Sequence, residues 1–288
     1  MPQKSFAEML KGARPVVAPN VFNALSAVLA EGAGFEAMYL GGGPLGYLKC
    51  ITEANISLHE MVDVGIEIRS AVPRLPLVLD GTCGWGDPMH MHHTIAMSEA
   101  AGFVGIEIED QPLPKRAHHH IGREHLIPQE LMVAKIREAV CARRNPDFVI
   151  IGRTNAARCA TVDEALKRGE AYKAAGADMV FALPKTMDQV EFLAKRLPPP
   201  LMFMTLDGGM ESMPFSLGDM GAMGYKFIVD PMTPVLALHK AMAASYQAMA
   251  RGVVDPLLQR THKAEHEALN LTINLEKLLA IERATVEK

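Results

Sequence analysis

The chain has 288 residues, 49% hydrophobic and 22% charged, so it can bury one large core as either one barrel or two small domains. A formal net charge of −4 and a pI near 6.3 give no electrostatic case for a nucleic-acid partner. Four cysteines without a CxxC pair argue against a zinc ribbon or thioredoxin-type motif, and no apolar run could span a bilayer, so we expect a cytoplasmic protein without membrane contact.

Short β-rich runs alternate with helical patterns along the whole chain. The predicted strands are Val16–Pro19, Ala37–Gly42, Leu75–Asp80, Gly105–Asp110, Phe148–Thr154, Met179–Leu183, Leu201–Thr205 and Lys226–Asp230. The helices predicted between and after them are Asn23–Glu31, Leu58–Ala71, Pro88–Ala101, Gln129–Arg144, Val162–Ala175, Met187–Arg196, the weaker Phe215–Met223, and Pro234–Ala250. Eight strands that are each followed by a helix predict an α/β fold, a parallel (β/α)8 barrel of the TIM type.

The C-terminal part has more helix than a minimal barrel needs. Pro256 interrupts the helical pattern, and Leu257–Ile281 then carries an apolar face. We therefore expect a catalytic barrel domain over residues 1–255 and a C-terminal helical extension over residues 256–288. The pattern fits a helix folded on its own barrel as well as one packed on a neighbouring subunit.

Polar residues gather where the predicted strands end, which is the end of a parallel barrel that carries the active site. Gly105–His125 holds the densest set. Its strand ends in Glu109 and Asp110, two prolines follow, and then come a lysine, two arginines and four histidines. This pattern predicts a mobile cationic lid beside an acidic, metal-binding floor, with a solvated surface loop as the alternative.

The segment from Glu109 to His119 reads EDQ-x-x-P-K-R-x-x-H and resembles the signature of the isocitrate lyase and phosphoenolpyruvate mutase superfamily. The resemblance covers Pro19 to about Ala250. It implies a homotetramer, a dimer of dimers, in which the last barrel helix is exchanged between subunits. It also implies that the turn Gly41–Gly43, where most relatives have Ser-Gly, binds a substrate carboxylate through backbone N–H groups, with Tyr47 close by.

The same resemblance implies a Mg²⁺ site, with Mn²⁺ as an alternative ion. Relatives read D-x-D-T-G-Y-G where this chain has DGTCGWG, so Asp80 is kept while Thr82 replaces the second aspartate. Magnesium needs only one or two carboxylates, so Asp80 and Glu109 would suffice as ligands. Glu107 lies on the same face of its strand as Glu109, but deeper, and is the third candidate.

The loop also departs from the lyases of the superfamily, which read K-[RK]-C-G-H. Ala117 stands where they have the cysteine that protonates the enolate carbon, so we expect His119 or His118 to take over that step. Lys115 would close over the substrate. These changes argue against a standard isocitrate or methylisocitrate lyase.

Two further motifs bear on the substrate. GRTNA at Gly152–Ala156 resembles the R-T-[DN]-A of lyases and decarboxylases, which assigns Arg153 and Asn155 to carboxylate binding. After the seventh strand, Thr205 remains from the lyases' N-M-T-E, but Leu206 replaces the glutamate. A substrate smaller than isocitrate is expected.

Together these features predict a magnesium-dependent lyase or decarboxylase that cleaves a carbon–carbon bond of a small 2-oxo or 2-hydroxy (di)carboxylic acid, with an oxaloacetate-like substrate favoured. One alternative is phosphorus–carbon chemistry of the phosphonopyruvate hydrolase or phosphoenolpyruvate mutase type, against which GRTNA argues. The other is a barrel that has lost catalysis and serves in binding or assembly.

Overall fold

The computed structural model describes residues 4–205, 208–213 and 215–287. Its eight parallel strands are β1 Val16–Pro19, β2 Met38–Leu40, β3 Leu77–Asp80, β4 Gly105–Glu109, β5 Val149–Thr154, β6 Met179–Ala182, β7 Leu201–Met204 and β8 Tyr225–Asp230. The sheet order is β1-β8-β7-β6-β5-β4-β3-β2, and a bridge from Asn20 to Tyr39 joins its two ends. The predicted TIM-type barrel is confirmed.

Helices cover the outside of the strands or follow them. They are α1 Phe6–Met9, α2 Ala24–Gly32, α3 Gly42–Leu48, α4 Leu58–Ala71, α5 Met91–Ala100, α6 Gln129–Ala142, α7 Ala156–Cys159, α8 Val162–Ala174, α9 Asp188–Ala194, α10 Leu217–Ala222, α11 Thr233–Ala250, α12 His262–Thr272 and α13 Leu275–Thr285. The start of α4 is set by a capping box, in which Ser57 and Glu60 each accept a hydrogen bond from the other's backbone N–H.

Strand alternation divides the core into two layers. Side chains of one parity, including Val78 and Ile151, fill the barrel interior, while their neighbours Leu77 and Ile150 pack against the surrounding helices. The interior parity of β3, β4 and β5 ends in polar residues. These strands therefore deliver their polar side chains to the inside of the barrel at its carboxyl end.

The chain separates into two compact units, one running through Thr233 and the other starting at Pro234. The second unit contains most of α11 together with α12 and α13. The predicted single stretch Leu257–Ile281 is not helical before His262 and then forms two helices. They are separated near Asn274, whose φ of 55° lies in the left-handed region. Within the described residues, no helix is long and apolar enough to cross a membrane.

Candidate active site

The carboxyl end of the barrel interior holds a buried cluster of charges. Asp80 on β3 is in register with Glu107 on β4, and Glu109 is in register with Arg153 on β5. All three carboxylates are buried, with Glu107 and Glu109 each 1% exposed. Buried carboxylates are costly unless they are paired or bind a ligand, so their concentration makes this end of the barrel the candidate functional site.

Arg153 connects two of these carboxylates. Its guanidinium donates to Glu107 Oε1 at 2.7 Å and lies 3.3 Å from Glu109 Oε2, and its Cζ lies 5.1 Å from the ring centre of Phe181. Tyr39 donates its hydroxyl proton to Glu107 Oε2 at 2.9 Å. Burial raises the pKa of Glu107 more than the charge of Arg153 lowers it.

Asp80 has a different environment. Its carboxylate accepts two backbone hydrogen bonds, from Gly42 N and Thr82 N, both at 2.9 Å. Within the described chain it forms no salt bridge. Burial, followed by the negative charges of Glu53 and Glu107, raises the pKa of Asp80 to about 7.

Lys115 joins the loop to the floor of the site. Its ammonium group donates to Glu53 Oε1 at 2.6 Å and also to Glu109 Oε1. Burial alone would raise the pKa of Glu109, but Lys115 and Arg153 together hold it below its usual value. The predicted lid is therefore attached by its own lysine to two buried carboxylates.

His119 belongs to the same cluster. Its Nε2 lies 2.9 Å from Glu53 Oε2, and its Nδ1 lies 3.0 Å from the carbonyl oxygen of Arg116. Both neighbouring atoms are acceptors, so a doubly protonated imidazolium satisfies both contacts. Although burial lowers the pKa of His119, the hydrogen bond and charge of Glu53 raise it above the ordinary value.

The other loop histidines and Tyr47 lie further out. His118 is exposed, and its ring centre is 6.0 Å from that of His125. Tyr47 is 51% exposed, and its hydroxyl lies 3.0 Å from His120 Nδ1. Of the two histidines predicted to act on the enolate, only His119 contacts the buried carboxylates.

The glycine turn lies against this cluster and forms the start of α3. A Cβ at Gly42 would come within 2.9 Å of Glu53 Cγ, so glycine is required there by close packing. Gly41 N donates to Asn20 Oδ1 at 2.9 Å, and Gly42 N donates to Asp80. Two of the three backbone donors assigned to substrate are thus engaged by side chains of the protein itself.

The ends of β4 and β5 are tied by Asn155 and Asp110. Asn155 donates through Nδ2 to Glu109 Oε2 at 2.8 Å, and its Oδ1 accepts from Arg153 Nε at 3.2 Å. Its backbone N–H donates to Asp110 Oδ1 at 3.1 Å. The position of Asn155 is therefore set by the strand that carries Glu109.

Thr205 follows β7, and its hydroxyl is buried without a hydrogen-bond partner among the described residues. The structure thus leaves this polar atom available at the carboxyl end of β7. Leu206, on which the prediction of a smaller substrate rests, lies outside the described residues.

The thiol of Cys83, in the turn after β3, is fully buried. Burial raises its pKa, which disfavours the thiolate form that a nucleophile needs. Lys135 on α6 donates to the carbonyl oxygen of Cys83 and helps to hold the turn. Cys83 fits the role of a small packing side chain.

Glu53 and Asn20 contact residues of the candidate site, yet the sequence motifs did not indicate them. Glu53 lies in a short 3-10 turn after α3, outside any strand end, and no spacing pattern marks it. Asn20 directly follows β1 with the interior parity of Val16 and Ala18. The strand-end rule that selected Asp80 and Arg153 would have found Asn20, but not Glu53.

The carboxylates could bind a hard metal ion that takes only one or two of its ligands from the protein. No group of three Asp, Glu, His or Cys side chains within the described ranges is arranged to hold a metal. Magnesium, however, keeps several waters and accepts one or two carboxylates. Asp80 is the best candidate ligand, because its carboxylate offers two oxygen atoms and forms no salt bridge within the described chain. Glu107 and Glu109, by contrast, are paired with Arg153 and Lys115.

Comparison with known proteins points to one family. The family model described as phosphoenolpyruvate phosphomutase matches residues 6–250. The chain is 31% identical to 2,3-dimethylmalate lyase of Eubacterium barkeri over 283 residues, covering 96% of this chain and 95% of that protein. It is 30% identical to an oxaloacetate decarboxylase of Rhodopseudomonas palustris (strain ATCC BAA-98 / CGA009), covering 89% and 88% of the two chains.

The fold comparison agrees. A crystal structure of phosphonopyruvate hydrolase with oxalate and Mg²⁺ superposes with a TM-score of 0.84 at 25% identity, covering 97% of both chains. The two named sequence relatives are carbon–carbon lyases, which matches the predicted reaction class. The chain belongs to the phosphoenolpyruvate mutase and isocitrate lyase superfamily.

Proposed function

We propose that this protein is a magnesium-dependent lyase or decarboxylase that cleaves a carbon–carbon bond of a small 2-oxo or 2-hydroxy dicarboxylic acid, with oxaloacetate as the favoured substrate. The observation that carries the proposal is the pair Arg153 and Asp80 at one end of the barrel. Arg153 is a largely buried guanidinium, and the carboxylate of Asp80 forms no salt bridge within the described chain. This arrangement offers one position for an anionic substrate group and one for a divalent cation.

Asp80 and Glu109 would hold Mg²⁺, or Mn²⁺ in its place, with Glu107 as the deeper third candidate. When bound, the metal would supply Lewis-acid stabilisation of the negative charge on the substrate oxygen. Burial, followed by the negative charges of Glu53 and Glu107, raises the pKa of Asp80, and a divalent cation at this carboxylate would oppose both effects.

The chain's own residues would bind and orient the substrate. Arg153 would hold a substrate carboxylate through two N–H donors and balance the charge of the enolate. Asn155, which contacts both Arg153 and Glu109, would keep these two groups in position. Lys115 would exclude water from above. The remaining residues assigned to substrate binding are Gly41, Gly42, Gly43, Tyr47 and Thr205.

His119 would return a proton to the enolate carbon, the step for which Ala117 leaves no cysteine. Its contact with Glu53 raises the pKa of the ring and so favours the protonated form, and the loop that carries it is anchored beside Glu109 through Lys115. His118 is the second candidate, but its exposed ring contacts His125 instead. Decarboxylation of oxaloacetate by this route releases carbon dioxide and leaves pyruvate.

The test is pyruvate release from oxaloacetate by metal-stripped protein, with Mg²⁺ or Mn²⁺ returned and the non-enzymatic rate subtracted. Arg153→Ala should lower kcat/KM about 100-fold or more, because it removes charge stabilisation at the reacting oxygens. Arg158→Ala, five residues on and about one-third exposed, is the control and should retain activity.

A second pair of variants tests the proton donor. His119→Asn should lower kcat about 100-fold, whereas His118→Asn should stay near the wild-type rate. The reverse result would assign the step to His118. If oxaloacetate gives no rate above background, saturable turnover of phosphonopyruvate would establish the phosphorus–carbon alternative. Inactivity on that compound and on branched malates would leave the non-catalytic barrel.

For the assembly, we propose a catalytic barrel over residues 1–255 and a helical extension over residues 256–288 in a homotetramer with exchanged helices. The support is the large apolar side chains exposed on the second unit, among them Tyr246 at 61%, Met249 at 70% and Leu271 at 79%. Sedimentation should give the tetramer mass for the wild type and a smaller species for Leu271→Asp. A monomeric wild type would refute this assembly. We also propose a cytoplasmic location, which keeps the four free cysteines reduced.

A further inference from the structure

Asn20 lies inside the mouth of the barrel. It directly follows β1, whose Val16 and Ala18 face the barrel interior, and the next residue of that parity is Asn20. It pairs with Tyr39 of β2 across the joint that closes the sheet, and only 1% of its surface is exposed. A polar side chain buried this completely is ordinarily hydrogen-bonded through every polar atom.

The orientation of the Asn20 amide follows from chemistry. Gly41 N lies 2.9 Å from the side-chain atom assigned as Oδ1, and a backbone N–H can bond only to an acceptor. The oxygen is therefore the atom at Gly41, and Nδ2 is the remaining end of the amide. Nδ2 is buried and has no hydrogen-bond partner in the described part of the chain.

The turn beside Asn20 has little donor capacity left of its own. Gly41 N is engaged by Asn20 and Gly42 N by Asp80. Position 41 has no side chain to offer, and a Cβ there would lie 3.1 Å from Asn20 Oδ1 and 3.0 Å from Pro44 Cδ. Asn20 thus accepts the hydrogen bond of Gly41 and presents a new donor at the same end of the barrel.

We propose that Asn20 is a substrate-binding residue, whose Nδ2 group donates a hydrogen bond to a carboxylate oxygen of the substrate. Position 41 is a glycine and offers no side-chain donor, so in this chain Asn20 supplies a side-chain donor at this end of the barrel. The inference rests on the proposed function in one respect, namely that the ligand is a small carboxylate. A negatively charged oxygen is the matching partner, because Nδ2 is a donor only and Arg153 lies at the same end of the barrel.

The test is oxalate binding in the presence of Mg²⁺, measured by isothermal titration calorimetry. Asn20→Asp keeps an oxygen to accept from Gly41 N but places a carboxylate where Nδ2 was. It should weaken oxalate binding about 10- to 100-fold, the loss expected for a hydrogen bond to a charged group. Asn23→Asp is the matched control, because the N-cap oxygen that accepts from Ser26 N is retained and binding should not change.

A second measurement covers the case in which Asn20→Asp does not fold. In wild-type protein with ¹⁵N-labelled asparagine, the side-chain NH2 signal of Asn20 should shift when oxalate and Mg²⁺ are added, while that of Asn23 stays in place. Wild-type affinity in a folded Asn20→Asp variant, or an unchanged Asn20 signal in the bound protein, would overturn the inference alone. Failure of the wild type to bind oxalate, pyruvate or oxaloacetate would overturn the proposed function together with it.

Discussion

Asp110 offers a direct test of how a buried carboxylate supports this barrel. It is fully buried at the end of β4. Its Oδ2 accepts from the hydroxyls of Thr154 and Tyr172, both at 2.7 Å, and from Arg168 at 3.1 Å. Arg168 has a second carboxylate partner, Glu164, at 2.8 Å, whose side chain is 31% exposed. Arg168 therefore takes part in both a buried and a more exposed ion pair, so the two pairs can be compared in the same protein.

Asp110→Asn keeps the size of the side chain but replaces one acceptor oxygen with a donor. The new NH2 group must face either the side of Arg168 and the two hydroxyls or the side of the Asn155 backbone N–H. In the wild type each of these groups donates to Asp110, and Arg168 and the backbone N–H cannot accept. Breaking a buried ion pair by removing one partner costs about 3–5 kcal/mol. Glu164→Gln breaks a half-buried pair in a single helix, for which about 0–1 kcal/mol is expected.

The assay is urea unfolding at pH 7, followed by circular dichroism, on wild type and both variants. The midpoint should fall strongly for Asp110→Asn and change little for Glu164→Gln. Equal shifts, or a loss below about 1 kcal/mol for Asp110→Asn, would refute the assignment of the stability to the buried pair.

Three further predictions concern pH and packing. The pKa of Asp80, about 7 in the folded chain, lies above its unfolded value, so this group makes stability fall as pH rises from about 4 to 7. In the presence of chelator, Asp80→Asn should therefore show a smaller fall in urea midpoint between pH 5 and pH 8 than the wild type. An equal fall in the two proteins would contradict this prediction. Glu53→Gln should lower the pKa of His119 in an NMR titration, because the substitution removes the negative charge that raises this pKa. An unchanged pKa would show that Glu53 does not influence His119. Gly65→Ala should lower the free energy of unfolding by about 1–3 kcal/mol, because the added Cβ would lie 2.6 Å from Phe103 Cε2. Gly32→Ala is the control and should not change stability, because the space around Gly32 is open. Equal shifts in melting temperature for the two variants would contradict this prediction.

The strand and helix order could be predicted from sequence because each barrel element carries a strong local pattern. Every predicted strand is present, and the main differences are at their ends, as at β2, where the glycines of the predicted strand begin α3. The polar ends of β3, β4 and β5 followed from alternation. Local patterns contain no information on contacts between distant segments, which explains why Glu53, 62 residues from Lys115, was not anticipated.

The same limit applies to the loop and the C-terminal helices. The histidine run predicted a functional loop, but only the fold distinguishes His119, beside Glu53, from the exposed His118. Leu257–Ile281 has continuous helical periodicity, and the break near Asn274 depends on one residue in the left-handed region. Asparagine adopts that conformation more readily than most residues, yet many asparagines lie in ordinary helices.

The contact between Asn20 and Gly41 has a consequence for the evolution of the family. The two positions are 21 residues apart in sequence. Their side chains would nevertheless compete for the same volume, because a Cβ at position 41 would lie 3.1 Å from Oδ1 of Asn20. A mutation at either position alone would crowd the mouth or leave it underpacked. We therefore expect descendants of this gene to change positions 20 and 41 together, with a larger residue at 41 accompanied by a smaller one at 20.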